Sequence, residues 1–398
     1  MEQIKLAKNI YYIGNNDRKK FLFENNWPLP YGVSYNSYLI KDNFNALIDT
    51  IEFGSDNDFI SKINDILSGN ELNYLIVNHM EPDHSGSIGI ILNRYPNIKV
   101  VGNTQTHKIL KLYFDIKDEN FLCIKDGDIL DLGEIKLQFS TVPWVHWPET
   151  MVTMDIVNNI LFSCDAFGGF GTLDGGIFDD ENDFERYYLD EMRRYYSNIV
   201  GKYSCMVQKA LAKLGGANIK MIAPSHGLIW RKDIQKVVSL YDKWSRYESE
   251  EGVVIVYASM YGNTEKMADY IGKTLASKGV KNIKIYDVSR THVSYLLSEI
   301  WRYKGLILGT CAYNTQMHPM MEHLCNEIKL SAPKEKVFGV FGSSTWNGSG
   351  VKALKKFAEE NQFEIVTPII ELSGAASEDK IENYLNDFSN NFVSKIKE

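Results

Sequence analysis

Two imidazoles and two carboxylates fall within six residues in the stretch Val77-Asn78-His79-Met80-Glu81-Pro82-Asp83-His84-Ser85-Gly86, directly after an apolar run. Further histidines stand where other apolar runs give way to turns, at Val145-His146-Trp147 and Pro224-Ser225-His226-Gly227, with Ser163-Cys164-Asp165 between them. Side chains of these types at strand ends can converge from several loops on one sheet edge, and their chemistry is that of a two-metal centre. His79 and Glu81 would reach one way and Asp83 and His84 the other. His146 and His226 would then add one nitrogen to each ion, leaving Asp165 to bridge them with its two oxygens. Ions paired in this way lie roughly 3.5–4 Å apart. Four imidazoles and three carboxylates without a thiolate disfavour structural zinc. An oxygen-rich set suits iron or manganese, although affinity order alone favours zinc. The charges balance: three carboxylates and a bridging hydroxide neutralise two divalent ions. Taken singly, each histidine is more often a hydrogen-bonded loop or core residue, and Asp83-His84-Ser85-Gly86 could serve as a helix N-cap. That simpler account has to cover all seven residues at once. His107, His292, His318 and His323 are expected to be surface or packing residues on helices.

A second constellation lies in the carboxyl-terminal part. Ser259-Met260-Tyr261-Gly262-Asn263-Thr264 follows the apolar run Val253–Ala258 and opens a helical pattern. The hydroxyls of Ser259 and Thr264, backbone N–H groups near Gly262 and Asn263, and a helix N-terminus suit one terminal phosphate. The pattern is neither a Gly-x-Gly-x-x-Gly dinucleotide loop nor a lysine-bearing triphosphate loop. Two more strand-end loops, Thr310-Cys311-Ala312-Tyr313-Asn314-Thr315 and Ser343-Ser344-Thr345-Trp346-Asn347-Gly348, offer Tyr313 or Trp346 to stack on a ring and N–H groups for its polar edge. Three such loops in one domain point to FMN.

The elements that must hold these loops divide at the polar run Tyr247-Glu248-Ser249-Glu250-Glu251-Gly252. Residues 1–250 are expected to form one domain and residues 251–398 another. In the first, Leu72–Val77, Ile98–Val101, Ile135–Phe139, Met151–Asp155, Ile160–Phe162 and Lys220–Ala223 read as strands. Tyr187–Leu214 and Asp233–Arg246 carry helical spacing. Hairpin-like succession around Asn158-Asn159 favours mixed sheets covered by helices. In the second, Val253–Ala258, Asn282–Tyr286, Gly305–Gly309, Val337–Phe341 and Glu364–Ile370 alternate with helices, the pattern of a doubly wound parallel sheet.

Composition narrows the class. A net charge of -8 without a basic, aromatic-interleaved patch argues against nucleic acid. No apolar run approaches the ~20 residues of a membrane helix, and the start lacks a signal-peptide core. Five cysteines without a Cys-x-x-Cys pair fit a reducing compartment, so a cytoplasmic protein is expected.

Together these residues resemble the flavodiiron protein family across nearly the whole chain. The resemblance implies an αββα metallo-β-lactamase-like domain followed by a flavodoxin-like domain. Hydrolases of the first fold usually carry His-x-His-x-Asp-His and bind zinc, whereas Glu81 replaces the second histidine, as in the diiron branch. His146-Trp147-Pro148-Glu149-Thr150-Met151, Cys164-Asp165-Ala166-Phe167 and Tyr195-Tyr196-Ser197-Asn198-Ile199-Val200 are also similar to that branch. Carried over, His79, Glu81 and His146 would hold one iron and Asp83, His84 and His226 the other, with Asp165 bridging. The resemblance implies FMN, a head-to-tail homodimer or a tetramer, and an external donor, rubredoxin or a related reductase. It also implies reduction of O2 to water or NO to N2O, with the four electrons of two ferrous ions and a reduced flavin sufficing for either. Tyr195 or Tyr196 would offer a hydroxyl near the bound gas. The competing readings are a dinuclear zinc hydrolase fused to a flavodoxin, and an electron carrier on a degenerate scaffold.

Overall fold

The computed structural model describes residues 3–397 and divides into two compact units, Met1–Asp242 and Lys243–Glu398. The first unit is built on two sheets. One has seven strands in the order Lys5–Ala7, Ile10–Tyr12, Tyr38–Ile40, Ala46–Ile48, Tyr74–Ile76, Lys99–Gly102 and Phe121–Cys123. Its first four strands pair antiparallel and the rest parallel. The other has five strands, Ile129–Asp131, Lys136–Thr141, Met151–Asp155, Ile160–Cys164 and Met221–Pro224, antiparallel except for the last pair. The expected hairpin closes on Asp155, whose carboxylate accepts from the Val157 and Asn158 N–H groups, with Asn159 left-handed at φ 63°.

The sheets face each other across apolar and polar contacts. Tyr38 and Phe162 pack ring to ring at 5.1 Å, and the Tyr38 hydroxyl donates to the Pro224 carbonyl at 2.6 Å. Strands such as Met151–Asp155 are buried along their whole length. They therefore read as apolar runs rather than as alternation. Helices supply the remaining cover: Asp56–Leu67 buries Phe59, Ile63, Ile66 and Leu67 along one stripe.

The helical stretch expected at Tyr187–Leu214 is corrected. It is broken into α-helices Phe184–Tyr187, Leu189–Tyr195 and Ser204–Leu214, with a π-turn over Tyr196–Val200 and a 3-10 turn over Gly201–Tyr203. Apolar spacing alone does not register such a change of winding, and π-turns tend to occur where side chains must be re-aimed. Helix Ile234–Ser245 falls within the expected Asp233–Arg246.

The second unit is a six-stranded sheet whose five parallel strands run in the order Ile283–Asp287, Glu250–Ala258, Tyr303–Tyr313, Val337–Ser344 and Ile370–Ser373, with the short strand Gln316–Met317 pairing antiparallel to Tyr303–Tyr313. This 2-1-3-4-5 order reverses beside the first strand, so ligands belong at the carboxyl ends of the central strands. Helix Asn263–Ser277 buries Met267, Ala268, Ile271 and Leu275. The same core takes in Phe341, Phe388 and Phe392. The last strand starts at Ile370 instead of covering Glu364–Ile370, with only an isolated bridge between Phe338 and Ile365 before it. Pro368 has no N–H to give a ladder. Among the described residues no helix is long and apolar enough to cross a membrane.

Candidate functional site

The loop after strand Tyr74–Ile76 is locked from beneath. Asp49 accepts from the Asn78 backbone N–H (2.7 Å) and from its side-chain amide (2.9 Å), while Thr153 donates to Asn78 Oδ1 at 2.7 Å. Pro82 begins the short helix Pro82–Ser85, where its missing N–H costs nothing. This turn carries Asp83 and His84 to a different side from His79 and Glu81. His226 follows strand Met221–Pro224 and is fixed by Gly227. Gly227 has φ +74°, and a Cβ there would stand 3.1 Å from the Gly169 backbone nitrogen. Asp165 directly follows the strand Ile160–Cys164.

The structure brings all seven of these residues into one buried nest. His79, Glu81, His146 and Asp165 form one group and Asp83, His84 and His226 another, with ligand atoms inside each group within 4.8 Å of one another. Asp165 joins the groups. Its Oδ2 lies 3.4 Å from His146 Nε2 and 3.5 Å from His79 Nε2, whereas Oδ1 lies 2.8 Å from His84 Nε2 and 3.7 Å from His226 Nε2. Glu81 Oε2 reaches His146 Nε2 at 2.9 Å, and Asp83 Oδ2 reaches His226 Nε2 at 3.0 Å.

Both oxygens of Asp165, Asp83 Oδ1, His84 Nε2 and His146 Nε2 are buried without a hydrogen bond of good geometry. Buried polar atoms of this kind call for a partner. The electrostatics say what kind. Burial pulls the His79 imidazole down, but hydrogen bonds to Glu149 and Glu81 and the charge of Asp165 carry it up to about 10. His146, opposed by burial, is carried up to about 10 by Asp165 and Glu81, and His84 up to about 9 by Asp83 and Asp165. The same pairing holds the Asp165 and Glu81 carboxyls well below the usual range against the opposing effect of burial. The nest thus demands positive charge, and two divalent ions fit its donor set. Cys164 falls within the reach of His84 and Asp165, but burial and the Asp165 charge hold its thiol well above the usual value, which keeps it protonated.

Several neighbours have no signature in sequence spacing. Glu149, fully buried, receives His79 Nδ1 at 2.7 Å and the Met80 N–H at 2.9 Å. The Ser34 carbonyl receives His226 Nδ1 at 2.7 Å. A cavity of ≈ 610 Å³ leads to Glu81 and Asp83 past Lys20, Phe23, Glu24 and Glu52. Tyr195 is buried with its ring 5.6 Å from that of His226, while the Tyr196 hydroxyl is 2.8 Å from Ser204 Oγ. Burial, then the charges of Asp165, Asp83 and Glu81, hold the Tyr195 phenol well above its ordinary range, so it keeps its proton.

In the second unit, Ser259, Met260, Tyr261, Asn263, Thr264, Cys311, Ala312, Asn314, Thr315, Ser343, Ser344, Thr345, Trp346 and Asn347 line a cavity of ≈ 170 Å³. Ser259 Oγ is buried there with no hydrogen-bond partner, as a phosphate-binding hydroxyl would be. Tyr261 and Trp346 are exposed flat surfaces suited to a ring. Gly262, Thr310, Tyr313 and Gly348 fall outside this lining. Thr310 is turned inward, donating to the Cys311 carbonyl and accepting from the His318 N–H. Gly262 and Gly348 occupy the N-cap positions of helices Asn263–Ser277 and Ser349–Glu360. Tyr313 packs toward His318 at 6.1 Å. Of the four remaining histidines, His292 and His318 are helix caps, accepting from the Ser294 and Met320 N–H groups.

Comparison with known proteins matches this architecture. Residues 33–227 match the ODP family of beta lactamases and residues 255–388 match flavodoxin. The anaerobic nitric oxide reductase flavorubredoxin of Escherichia coli is 32% identical over 91% of this chain and 76% of its own length. The chain belongs to the flavodiiron protein family. Among solved structures, a mutant flavo di-iron protein from Thermotoga maritima is 31% identical with a TM-score of 0.90, covering 98% of both chains. The rubredoxin oxygen:oxidoreductase of Desulfovibrio gigas has a TM-score of 0.95 at 26% identity, covering 100% of this chain and 99% of its own. As a flavodiiron protein, the chain is an oxidoreductase with FMN in its flavodoxin unit and an iron pair in its β-lactamase-like unit.

Proposed function

We propose that this flavodiiron protein reduces O2 to water, NO to N2O, or both. His79, Glu81 and His146 would hold one iron and Asp83, His84 and His226 the other, with Asp165 offering one oxygen to each group. The observation that carries this reading is the division of the Asp165 oxygens between two separate histidine pairs. When bound, the iron pair and reduced FMN supply up to four electrons, enough for O2 or for two NO molecules.

The protein's own residues do the rest. The cavity past Glu24 and Glu52 reaches the nest at Glu81 and Asp83 and gives the gas its way in. Tyr195, protonated and with its ring beside that of His226, serves in this reading as a proton donor to the gas. Ser259 and Thr264 hold the FMN phosphate, the loop residues Met260, Asn263, Cys311, Ala312, Asn314, Thr315 and Ser343–Asn347 enclose the flavin, and Trp346 or Tyr261 stacks on its ring. The division of labour follows the chain, with the metal domain ending near Glu250 and the FMN domain following.

The partners of relatives extend the reading. A relative named as a flavorubredoxin and another as a rubredoxin oxygen:oxidoreductase support rubredoxin, or a related reductase, as the donor. A cytoplasmic head-to-tail dimer, in which each flavin serves the iron pair of the other subunit, completes the proposal. Glu81 in place of a second histidine, together with the flavin loops, speaks for this chemistry over a zinc hydrolase. The test is anaerobic reduction followed by stopped-flow mixing with O2 and with NO, with metal measured on the same sample. Rapid reoxidation with about two irons per chain is expected. Two zinc ions, no iron and no gas consumption would overturn the reading.

A further inference from the structure

Among the described residues, one of the four imidazoles in the nest is backed by a buried charge through Nδ1. His79 Nδ1 lies 2.7 Å from Glu149 Oε1, and both side chains are 0% exposed. The Met80 N–H donates to the same oxygen, while Glu149 Oε2 has no hydrogen-bond partner. Across the nest the support is weaker. His226 Nδ1 meets a neutral carbonyl, that of Ser34, and His84 Nδ1 has no partner.

An imidazole that binds metal through Nε2 carries its proton on Nδ1 and donates it to whatever lies behind. A carboxylate in that position fixes the ring and raises its basicity toward the metal. It also changes the charge balance. Glu81, Asp83 and Asp165 with one hydroxide neutralise two ferrous ions. Glu149 adds a negative charge beyond that balance, on one side of the nest, and excess negative charge favours the higher oxidation state.

We propose that Glu149 is a positioning residue that makes the two halves of the nest unequal. Through His79 it strengthens the half formed by His79, Glu81 and His146 over the half formed by Asp83, His84 and His226, both in hold on iron and in preference for the ferric state. In half-oxidised protein the ferric ion therefore sits on the His79 side. This inference rests on the ligand assignment proposed above.

The test is Glu149→Gln in the full-length, FMN-loaded protein. Glutamine Oε1 can accept the same two N–H groups, so the shape is kept and the charge is removed. Anaerobic competition with a ferrous chelator should show one of the two positions weakened by about 10–100-fold, the other unchanged. A redox titration followed by electron paramagnetic resonance should show the first ferrous-to-ferric step moved to higher potential. Glu149→Asp, which keeps the charge at longer reach, should weaken the same single position and move that step the same way by less. It carries the test alone should the glutamine variant not fold. Equal loss at both positions, or an unmoved first step in protein holding two irons, would overturn the inference. A wild-type protein that holds no iron pair would instead sink the ligand assignment and take this inference with it.

Discussion

Asp165 Oδ1 stands 2.8 Å from His84 Nε2, while the other oxygen of the same carboxylate faces His146 and His79. The carboxylate is fully buried and has no competing hydrogen bond of good geometry. It is therefore shared between two histidine pairs and belongs to neither.

Asp165→Asn follows directly. An amide keeps one acceptor oxygen and turns a donor toward the other pair, so the two halves lose their common ligand. Iron content should fall from about two per chain to one or fewer. Turnover with either gas should drop by more than about 100-fold, beyond the 10–100-fold typical of losing an outer partner. Metal analysis and gas consumption on one sample check this, and retention of two irons would contradict it.

Tyr195 and Tyr196 are adjacent in sequence but differ in surroundings. Tyr195 lies against His226 under the field of three carboxylates, and the Tyr196 hydroxyl is engaged with Ser204. Tyr195→Phe should lower turnover by ~10²-fold, the scale of a lost general acid, with iron and FMN content unchanged. Tyr196→Phe should leave turnover near wild type. Equal activity in both variants would remove the tyrosine from the proton path.

The metal nest is legible because ligand chemistry is local: four of its seven residues crowd into His79–His84, Asp165 and His226 follow strand ends, and His146 lies in the loop between strands Lys136–Thr141 and Met151–Asp155. The role of Glu149 is not legible in the same way, because its partner His79 lies 70 residues away and only folding joins them. The amino-terminal strands escaped for a different reason. Lys5–Ala7, Ile10–Tyr12 and Tyr38–Ile40 are three residues each, too short to show a period. Tyr195 was visible as part of an apolar helix, but the π-turn that follows it left no trace in residue spacing. In the flavin loops, sequence marked the segments without resolving which side chains turn inward, as with Thr310.

Ser259 offers a clean measure of the proposed phosphate recognition, since its hydroxyl is buried and unpartnered in a residue that lines the cavity of the second unit. Hydrogen bonds to charged groups contribute about 1.5–3 kcal/mol. Ser259→Ala should therefore weaken FMN binding by roughly 10–150-fold while leaving binding of phosphate-free riboflavin unchanged. Flavin fluorescence titration of the apoprotein compares the two ligands. Equal losses for both would show that the serine shapes the loop instead of gripping the phosphate.

Lys336 gives the flavodoxin unit a pH dependence of its own. Its ammonium is buried among three neutral oxygens, Ser249 Oγ at 2.6 Å, the Tyr303 carbonyl at 2.9 Å and the Trp301 carbonyl at 3.4 Å. Burial pulls it down to about 7, against about 10.4 in an unfolded chain. Between those values the unfolded chain holds the proton and the folded one releases it. Stability therefore rises with pH across this window, by at most about 1.4 kcal/mol per unit, and is lowest at pH 7 and below. Lys336→Met removes the titration, so its gain over wild type should be larger at pH 6 than at pH 10. Urea unfolding read through FMN release at both pH values checks the sign. A methionine variant that loses as much stability at pH 6 as at pH 10 would mean the three oxygen contacts outweigh the cost of the buried charge.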